Sequence, residues 1–103
     1  MSQDIILDSL GGDVFEIRLE RPERMNALGA QTVVALKRAV DEAAAQRARV
    51  VLIRGSGRAF CAGADLKERK SMDLAARMAH NAGINEAVNA IGNARFVTIA
   101  VLN

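Results

Sequence analysis

Aromatic residues, cysteine and proline are scarce in this chain of 103 residues. It contains no Trp and no Tyr, three Phe, one Cys and one Pro. The core must therefore be aliphatic, and the 50% apolar composition can supply it for one small domain. A single cysteine excludes an internal disulfide and is typical of a reducing compartment.

The chain also lacks a strong charge of either sign and a long apolar run. Its formal net charge of +2 is too small to indicate nucleic-acid binding. The start, MSQDII, lacks the basic residues and apolar stretch of a signal peptide, and no run approaches the length of a membrane span. These absences predict a cytoplasmic protein without a membrane partner. No metal site is predicted, because no metal-ligand spacing is found.

Two strands are predicted at residues 4–10 and 14–20. The pair Gly11-Gly12 between them suits a tight hairpin turn. The second strand alternates between an apolar and a charged face. These faces are formed by Phe15, Ile17 and Leu19 and by Glu16, Arg18 and Glu20, respectively. Pro22 ends the strand, because proline has no N–H to donate to a ladder.

Helical periodicity follows at residues 30–46, where the apolar stripe is Val33, Leu36, Val40 and Ala43 or Ala44. The continuous apolar run at residues 50–53 predicts a strand that is covered on both faces.

A second helix is predicted after Ser71 or Asp73, either of which could cap it, with a stop at Gly92-Asn93. Its expected buried stripe is Leu74, Met78, Ile84, Val88 and Ile91. A last apolar strand is predicted at residues 97–102. The order β-β-α-β-α-β predicts the α/β class.

Residues 60–70, FCAGADLKERK, form a small-residue loop that runs into a cluster of charges. Gly63 permits a sharp bend, and Ala64 or Asp65 is expected to open a short helix. The N–H groups at a helix start have no intrahelical partner, so they can form half of an oxyanion hole. On spacing alone, an ordinary loop before a helix is the simpler interpretation.

Two longer motifs carry more information than this spacing. VVLIRGSGRAFCAGADLKER and LERPERMNAL resemble the two N-terminal signatures of the enoyl-CoA hydratase/isomerase family, also called the crotonase superfamily. The closing VTIAVLN resembles the strand that leads into that family's second glycine-rich loop. The resemblance covers essentially the whole chain. The form ADLKER followed by Met72 is most similar to the methylglutaconyl-CoA hydratase branch.

The resemblance implies a fold that is a right-handed spiral of ββα repeats. Residues 1–103 would form only the N-terminal turns of one such domain, truncated after Asn103. It also implies an acyl-CoA enzyme that adds water to 2-enoyl-CoA thioesters and assembles as a homotrimer or hexamer. Coenzyme A would enter as part of the substrate, and no covalently bound cofactor is expected.

For individual residues, the resemblance implies that the backbone N–H of Ala64 is one oxyanion-hole donor. This N–H should then be unpaired within the protein. Ala62 would lie by the adenine of coenzyme A, and Gly63, Asp65 and Leu66 would line the acyl-CoA cleft.

The other motif would contribute Arg24, Met25 and Ala27 beside the coenzyme A moiety, with Arg24 near a phosphate. Lys67 is a weaker candidate for the same contact. Arg24 and Ala62 should therefore lie on the same side of one groove.

Several polar residues near these motifs receive structural interpretations. Asp65 and Glu68 are interpreted as solvated helix charges, because the family's catalytic carboxylates and second oxyanion-hole glycine follow the last strand of this chain. Cys61 is interpreted as a small packed side chain, and His80 as a surface or half-buried residue. Arg58 is assigned to a solvated face, although it could reach a phosphate.

Other functions remain open. Isomerase or hydrolase chemistry in the same cleft is the first alternative. RNA binding, which relatives in the methylglutaconyl branch perform through a lysine-rich helix, is disfavoured because Lys37 and Arg38 are balanced by Asp41 and Glu42. A non-catalytic fragment or a split chain is also compatible. The chain alone is predicted to be inactive, with the apolar face of its last strand exposed.

Overall fold

The computed structural model describes residues 4–103. Its four strands are β1 (Ile5–Gly11), β2 (Val14–Leu19), β3 (Val50–Gly55) and β4 (Val97–Val101). Its three helices are α1 (Ala30–Ala45), α2 (Leu66–Arg69) and α3 (Leu74–Gly92), and a 3-10 turn covers Pro22–Arg24. Residues 1–3, where the segment compared with a signal peptide begins, lie outside the described residues. No helix in the described range is both long enough and apolar enough to cross a bilayer.

The strands form one sheet in the order β1-β2-β3-β4. β1 and β2 pair antiparallel through a turn in which Gly11, Gly12 and Asp13 all have positive φ. β2, β3 and β4 then run parallel, with Leu19 opposite Gly55. The predicted α/β class and the order β-β-α-β-α-β are confirmed, with α2 as the short helix expected after Gly63.

The core lies between the sheet and α1. Phe15, Ile17 and Leu19 of β2 are buried on one face of the sheet, as the alternation predicts. The stripe of α1 is also confirmed, with Thr32 and Ala39 added and with Ala43 rather than Ala44 buried. The 16-residue helix buries this stripe because its apolar positions recur at helical spacing.

Of the predicted stripe of α3, only Ile84 and Ile91 pack against the core. Leu74, Met78 and Val88 are 74%, 63% and 55% exposed, and Ile84 and Ile91 are only half-buried. The fully buried residues of α3 are instead His80 and Ala87. Small residues allow the close approach to α1, and a Cβ added at Gly83 would lie 3.1 Å from Val33 Cγ1. A search for large apolar side chains therefore includes exposed residues and omits His80 and Ala87.

β3 is covered on one face only, contrary to the prediction from its apolar run. Val51 and Ile53 are buried, whereas Leu52 is half-buried and Arg54 is exposed. The exposed face of β4 is confirmed, since Val97 and Ile99 are 60% and 45% exposed. On the core side, α1 packs against the sheet and α3 packs against α1.

Candidate active site

The two motifs meet at the edge of the sheet where parallel strands β2 and β3 end. Residues 20–29 follow the carboxyl end of β2, and residues 56–65 follow the carboxyl end of β3. In open α/β sheets this edge is where ligands bind. Asn103, after β4, reaches the same edge, where its side-chain amide donates to the carbonyl of Gly55 at 3.0 Å.

A short parallel ladder joins the two loops. The Ala62 N–H donates to the carbonyl of Met25 at 3.0 Å, and the Leu28 N–H donates to the carbonyl of Gly63 at 2.7 Å. The Asp65 N–H donates to the carbonyl of Leu28 at 3.0 Å. We call residues 25–28 and 62–65 the paired strips. The pairing brings Ala62 beside Met25, the neighbour of Arg24, and a shared groove for Arg24 and Ala62 stays a prediction.

Asn26 holds the first strip in place. It is 1% exposed and adopts a positive φ of 56°, a region that Asn enters more readily than most residues. Its Oδ1 accepts from the Arg21 N–H at 2.8 Å, and its Nδ2 donates to the carbonyls of Ser56 and Ala59 at 2.9 and 2.8 Å. One side chain therefore fastens the loop after β2 to the loop after β3.

Gly55 makes this tight closure possible. A Cβ at this position would lie 2.3 Å from the carbonyl oxygen of Phe60 and 2.6 Å from Asn26 Nδ2. No side chain fits between these backbone and amide groups. The end of β3 thus requires glycine for steric reasons, although its φ is not positive.

The backbone N–H of Ala64 is unpaired, as predicted. The Leu28 N–H donates to Gly63, and the Leu28 carbonyl accepts from Asp65; these are the two neighbours of Ala64. In such a parallel pairing, the N–H of Ala64 itself points away from Leu28 and the ladder. Among residues 4–103 it has no hydrogen-bond acceptor. Next to it, Gly63 has a φ of +94°, and a Cβ added there would meet nothing within 4 Å. A backbone donor therefore lies beside open space.

The cause of this unpaired N–H differs from the expected one. α2 begins at Leu66, after its N-cap Asp65, so Ala64 lies before the helix rather than at its start. The Asp65 N–H donates to the carbonyl of Leu28. The ladder, not the helix end, leaves the Ala64 N–H free.

Asp65 is not the solvated charge that its sequence context indicates. Its side chain is 2% exposed and accepts from Arg24 Nη2 at 2.6 and 2.7 Å and from Arg21 Nη2 at 3.1 Å. Burial alone would raise the pKa of this carboxyl group. The Glu68 N–H at 3.1 Å and the two arginines outweigh that effect and lower the pKa.

Glu68 is likewise engaged rather than solvated. Its Oε1 accepts from the N–H of Ala30, the first residue of α1, at 2.8 Å. A Cβ at Gly29 would lie 2.3 Å from the Glu68 carboxylate, so glycine precedes α1 here. Glu68 therefore caps α1, favourably placed near its positive end.

The remaining candidate residues differ in accessibility. Arg24 is 33% exposed at its side chain, and Met25 and Leu66 are 44% and 70% exposed. Ala62 and Lys67 are exposed as well. Ala27 is buried at 7%, and its carbonyl accepts from Arg21 Nη1. Of this set, only Ala27 and Asp65 are buried.

The sequence reasoning missed three residues of this region: Arg21, Asn26 and His80. His80 is 4% exposed, not at the surface, and its ring contacts Leu28 and Arg69. Asn26 could have been found, because it is a polar residue that follows a strand and an Arg-Pro step. No feature of the neighbouring sequence indicated the role of His80. Cys61 is half-buried and accepts from the Gly63 N–H through Sγ at 3.4 Å, consistent with a packed side chain.

Comparison with known proteins agrees with this geometry. Residues 10–103 match the family model described as Enoyl-CoA hydratase/isomerase. The chain belongs to the enoyl-CoA hydratase/isomerase family. A protein of Mycobacterium tuberculosis, named "Probable enoyl-CoA hydratase echA6", is 51% identical over 53 residues, which are 52% of this chain and 22% of that protein. A "Probable enoyl-CoA hydratase" of Rhizobium meliloti is 39% identical over 75 residues, or 72% of this chain and 29% of that protein.

Solved structures show the same fold. An enoyl-CoA hydratase from Bacillus anthracis superimposes with a TM-score of 0.92 at 30% identity, covering 98% of this chain and 40% of that one. An enoyl-CoA hydratase from Mycobacterium smegmatis gives 0.91 at 30% identity, with coverages of 98% and 40%. The fold is therefore the N-terminal portion of the crotonase fold, as expected, and the chain spans less than half the length of these relatives.

Proposed function

We propose that this chain forms the oxyanion-hole strip of an acyl-CoA enzyme of the enoyl-CoA hydratase type. The observation that carries this proposal is the unpaired Ala64 N–H beside the open space at Gly63. A thioester carbonyl oxygen would accept this N–H. When the substrate becomes enolate-like, the oxygen gains negative charge and the hydrogen bond strengthens. Losing one such donor costs roughly 3–4 kcal/mol of transition-state stabilisation in other enzymes.

The groove that would hold coenzyme A runs along the paired strips. Exposed surface is offered there by Met25, Ala62, Leu66 and Lys67. The methyl group of Ala62 and the absence of a side chain at Gly63 permit a ligand to approach the backbone closely. Ala27 and Asp65 would support the groove from below.

Arg24 is the proposed phosphate contact. It shares the Asp65 carboxylate with Arg21. If Arg24 turned toward a phosphate, Asp65 would keep Arg21 as its partner. The buried carboxylate would then stay neutralised while a cation became available to the ligand.

Hydration also requires a base that activates water and an acid that protonates the α-carbon. The two carboxylates next to Ala64 are engaged, Asp65 by two arginines and Glu68 by the N-terminus of α1. We therefore expect residues 1–103 alone to bind thioesters without turning them over. In the whole protein, which we propose to be a homotrimer or hexamer in the cytoplasm, the catalytic acids would come from the part that its longer relatives possess.

The finer assignment depends on those acids. Isomerase or hydrolase chemistry would use the same Ala64 donor with different carboxylates. The methylglutaconyl branch remains a prediction from the motif ADLKER, since the relatives described above do not point to it. RNA binding has no support in α1, where Lys37 is paired with Asp41 at 2.6 Å.

The decisive experiment removes the Ala64 N–H and keeps the Ala64 side chain. Cys61, the single cysteine, permits ligation of residues 1–60 to a synthetic peptide 61–103 in which lactic acid replaces Ala64. This ester keeps the methyl group and lacks the N–H. Crotonyl-CoA should bind the all-amide ligated chain and bind the ester chain about tenfold more weakly, because one hydrogen bond is lost. Coenzyme A without an acyl group is the control and should bind both equally. Equal crotonyl-CoA affinities would refute the donor role of Ala64.

A further inference from the structure

His80 makes two ring contacts that fix its tautomer. Its Nδ1 lies 3.1 Å from Arg69 Nε, and its Nε2 lies 2.8 Å from the carbonyl oxygen of Leu28. A guanidinium can only donate, so Nδ1 must be an unprotonated acceptor. The ring proton is therefore on Nε2 and is donated to Leu28.

The Leu28 carbonyl is the central acceptor of the paired strips. It receives the Asp65 N–H at 3.0 Å as well as the His80 Nε2–H at 2.8 Å. Leu28 also pairs directly with Ala64 across the ladder. The position of Ala64 thus depends on a carbonyl that α3 holds through one side chain.

We propose that His80 is a positioning residue that sets the direction of the Ala64 N–H. It acts through Leu28: the Nε2–H anchors that carbonyl, and the ladder transmits its position to Ala64. Arg69 takes part in this positioning, because it donates to the His80 ring on the side opposite Leu28. Arg69 also contacts the Asn81 side chain. The importance of this role for catalysis rests on the function proposed above.

A simpler role would be packing alone. His80 is buried on α3 together with Ala87, so its loss would lower the free energy of unfolding in either case. A packing residue acts through the volume that it fills, whereas a positioning residue needs its N–H donor to Leu28. The two roles are separated by a measurement at Ala64 itself.

The test compares four variants of the chain by the amide resonance of Ala64 in 15N-labelled protein. His80→Ala removes the donor to Leu28, whereas His80→Gln keeps a side-chain N–H of similar reach. Arg69→Met leaves the ring but removes the group that fixes its tautomer. Asn81→Ala is the matched control on the same helix, because it removes a contact of Arg69 and leaves the His80–Leu28 bond.

The Ala64 resonance should move in His80→Ala and in Arg69→Met, remain in place in Asn81→Ala, and return toward its original position in His80→Gln. Affinity for crotonyl-CoA should fall roughly five- to tenfold in His80→Ala, while affinity for coenzyme A alone is retained. If His80→Ala does not fold, the pair Arg69→Met and His80→Gln decides the question. An unmoved Ala64 resonance in folded His80→Ala and Arg69→Met would overturn the positioning role.

Failure of the proposed function has a different signature. If the unaltered chain binds no thioester, the acyl-CoA assignment fails, and the Ala64 resonance still decides whether His80 positions the strip. If the chain binds the thioester and His80→Ala binds it equally well with an unmoved resonance, only the role of His80 is refuted.

Discussion

Arg24 and Asp65 belong to different motifs, yet the Arg24 guanidinium lies 2.6 Å from the Asp65 carboxylate. Arg21 joins them at 3.1 Å on the other carboxylate oxygen, Oδ2. Two arginines of the loop after β2 thus hold one buried acid of the loop after β3. These ion pairs connect the strip that carries Ala64 to the loop that leads into residues 25–28.

Replacing Asp65 with Asn should destabilise the chain by about 3 kcal/mol, because two arginines would lose their buried counter-ion. The amide can still accept the Glu68 N–H, so the change isolates the charge. Urea unfolding followed by circular dichroism measures the effect. Asp41→Asn is the matched control, since the exposed Asp41–Lys37 pair should contribute little to stability. Equal costs for the two substitutions would contradict a special role for Asp65.

Acid should destabilise the unaltered chain more than the Asp65→Asn variant. The folded pKa of Asp65 is lowered, since the Glu68 N–H and the two arginines outweigh the opposing effect of burial. The ionised carboxylate therefore stabilises the fold at every pH above the ordinary aspartate range. That stabilisation disappears as the pH falls through the lowered value. Urea midpoints measured between neutral and strongly acidic pH should converge for the two proteins at the acid end. Parallel curves would show that Asp65 is not the group responsible.

Replacing Arg24 with Gln should weaken crotonyl-CoA binding and flatten its dependence on salt. A phosphate contact is a charge interaction at a partly exposed site, so added ions screen it. Stability should fall less than in Asp65→Asn, because Arg21 still faces the carboxylate. Arg38→Gln, on the exposed side of α1, is the control and should leave the salt dependence intact. If crotonyl-CoA binding to Arg24→Gln depended on salt as strongly as binding to the unaltered chain, Arg24 would not be the phosphate contact.

Adding a methyl group should have opposite effects at two glycines. Gly55→Ala forces a Cβ to within 2.6 Å of two carbonyl oxygens and should cost several kcal/mol, of the order of 3 or more. Gly92→Ala, at the end of α3 with nothing within 4 Å, should stabilise the chain by about 0.5–1 kcal/mol. Thermal unfolding of both variants measures the contrast. A tolerated Gly55→Ala would show that the loop after β3 closes less tightly than described.

The sequence alone determined the secondary structure and the family. Strong local signals carried these inferences: the alternation of β2, the helical stripe of α1, and the Asp73 cap and Gly92-Asn93 end of α3. Such patterns repeat within a few residues, so they can be read without knowing what packs against them. Each of the two motifs that resemble the family is likewise one continuous stretch of sequence.

Only the tertiary structure decided how polar residues are used. Asp65, Glu68 and His80 resembled ordinary surface residues, because their partners lie far away along the chain, at Arg21, Ala30 and Leu28. Leu74, Met78 and Val88 were wrongly assigned to the buried stripe of α3 for a related reason. Close helix packing selects small residues such as Gly83 and Ala87, whose periodicity is weak. The free N–H of Ala64 also depends on pairing between distant loops, since a ladder leaves a donor unpaired only once its partner strip is in place.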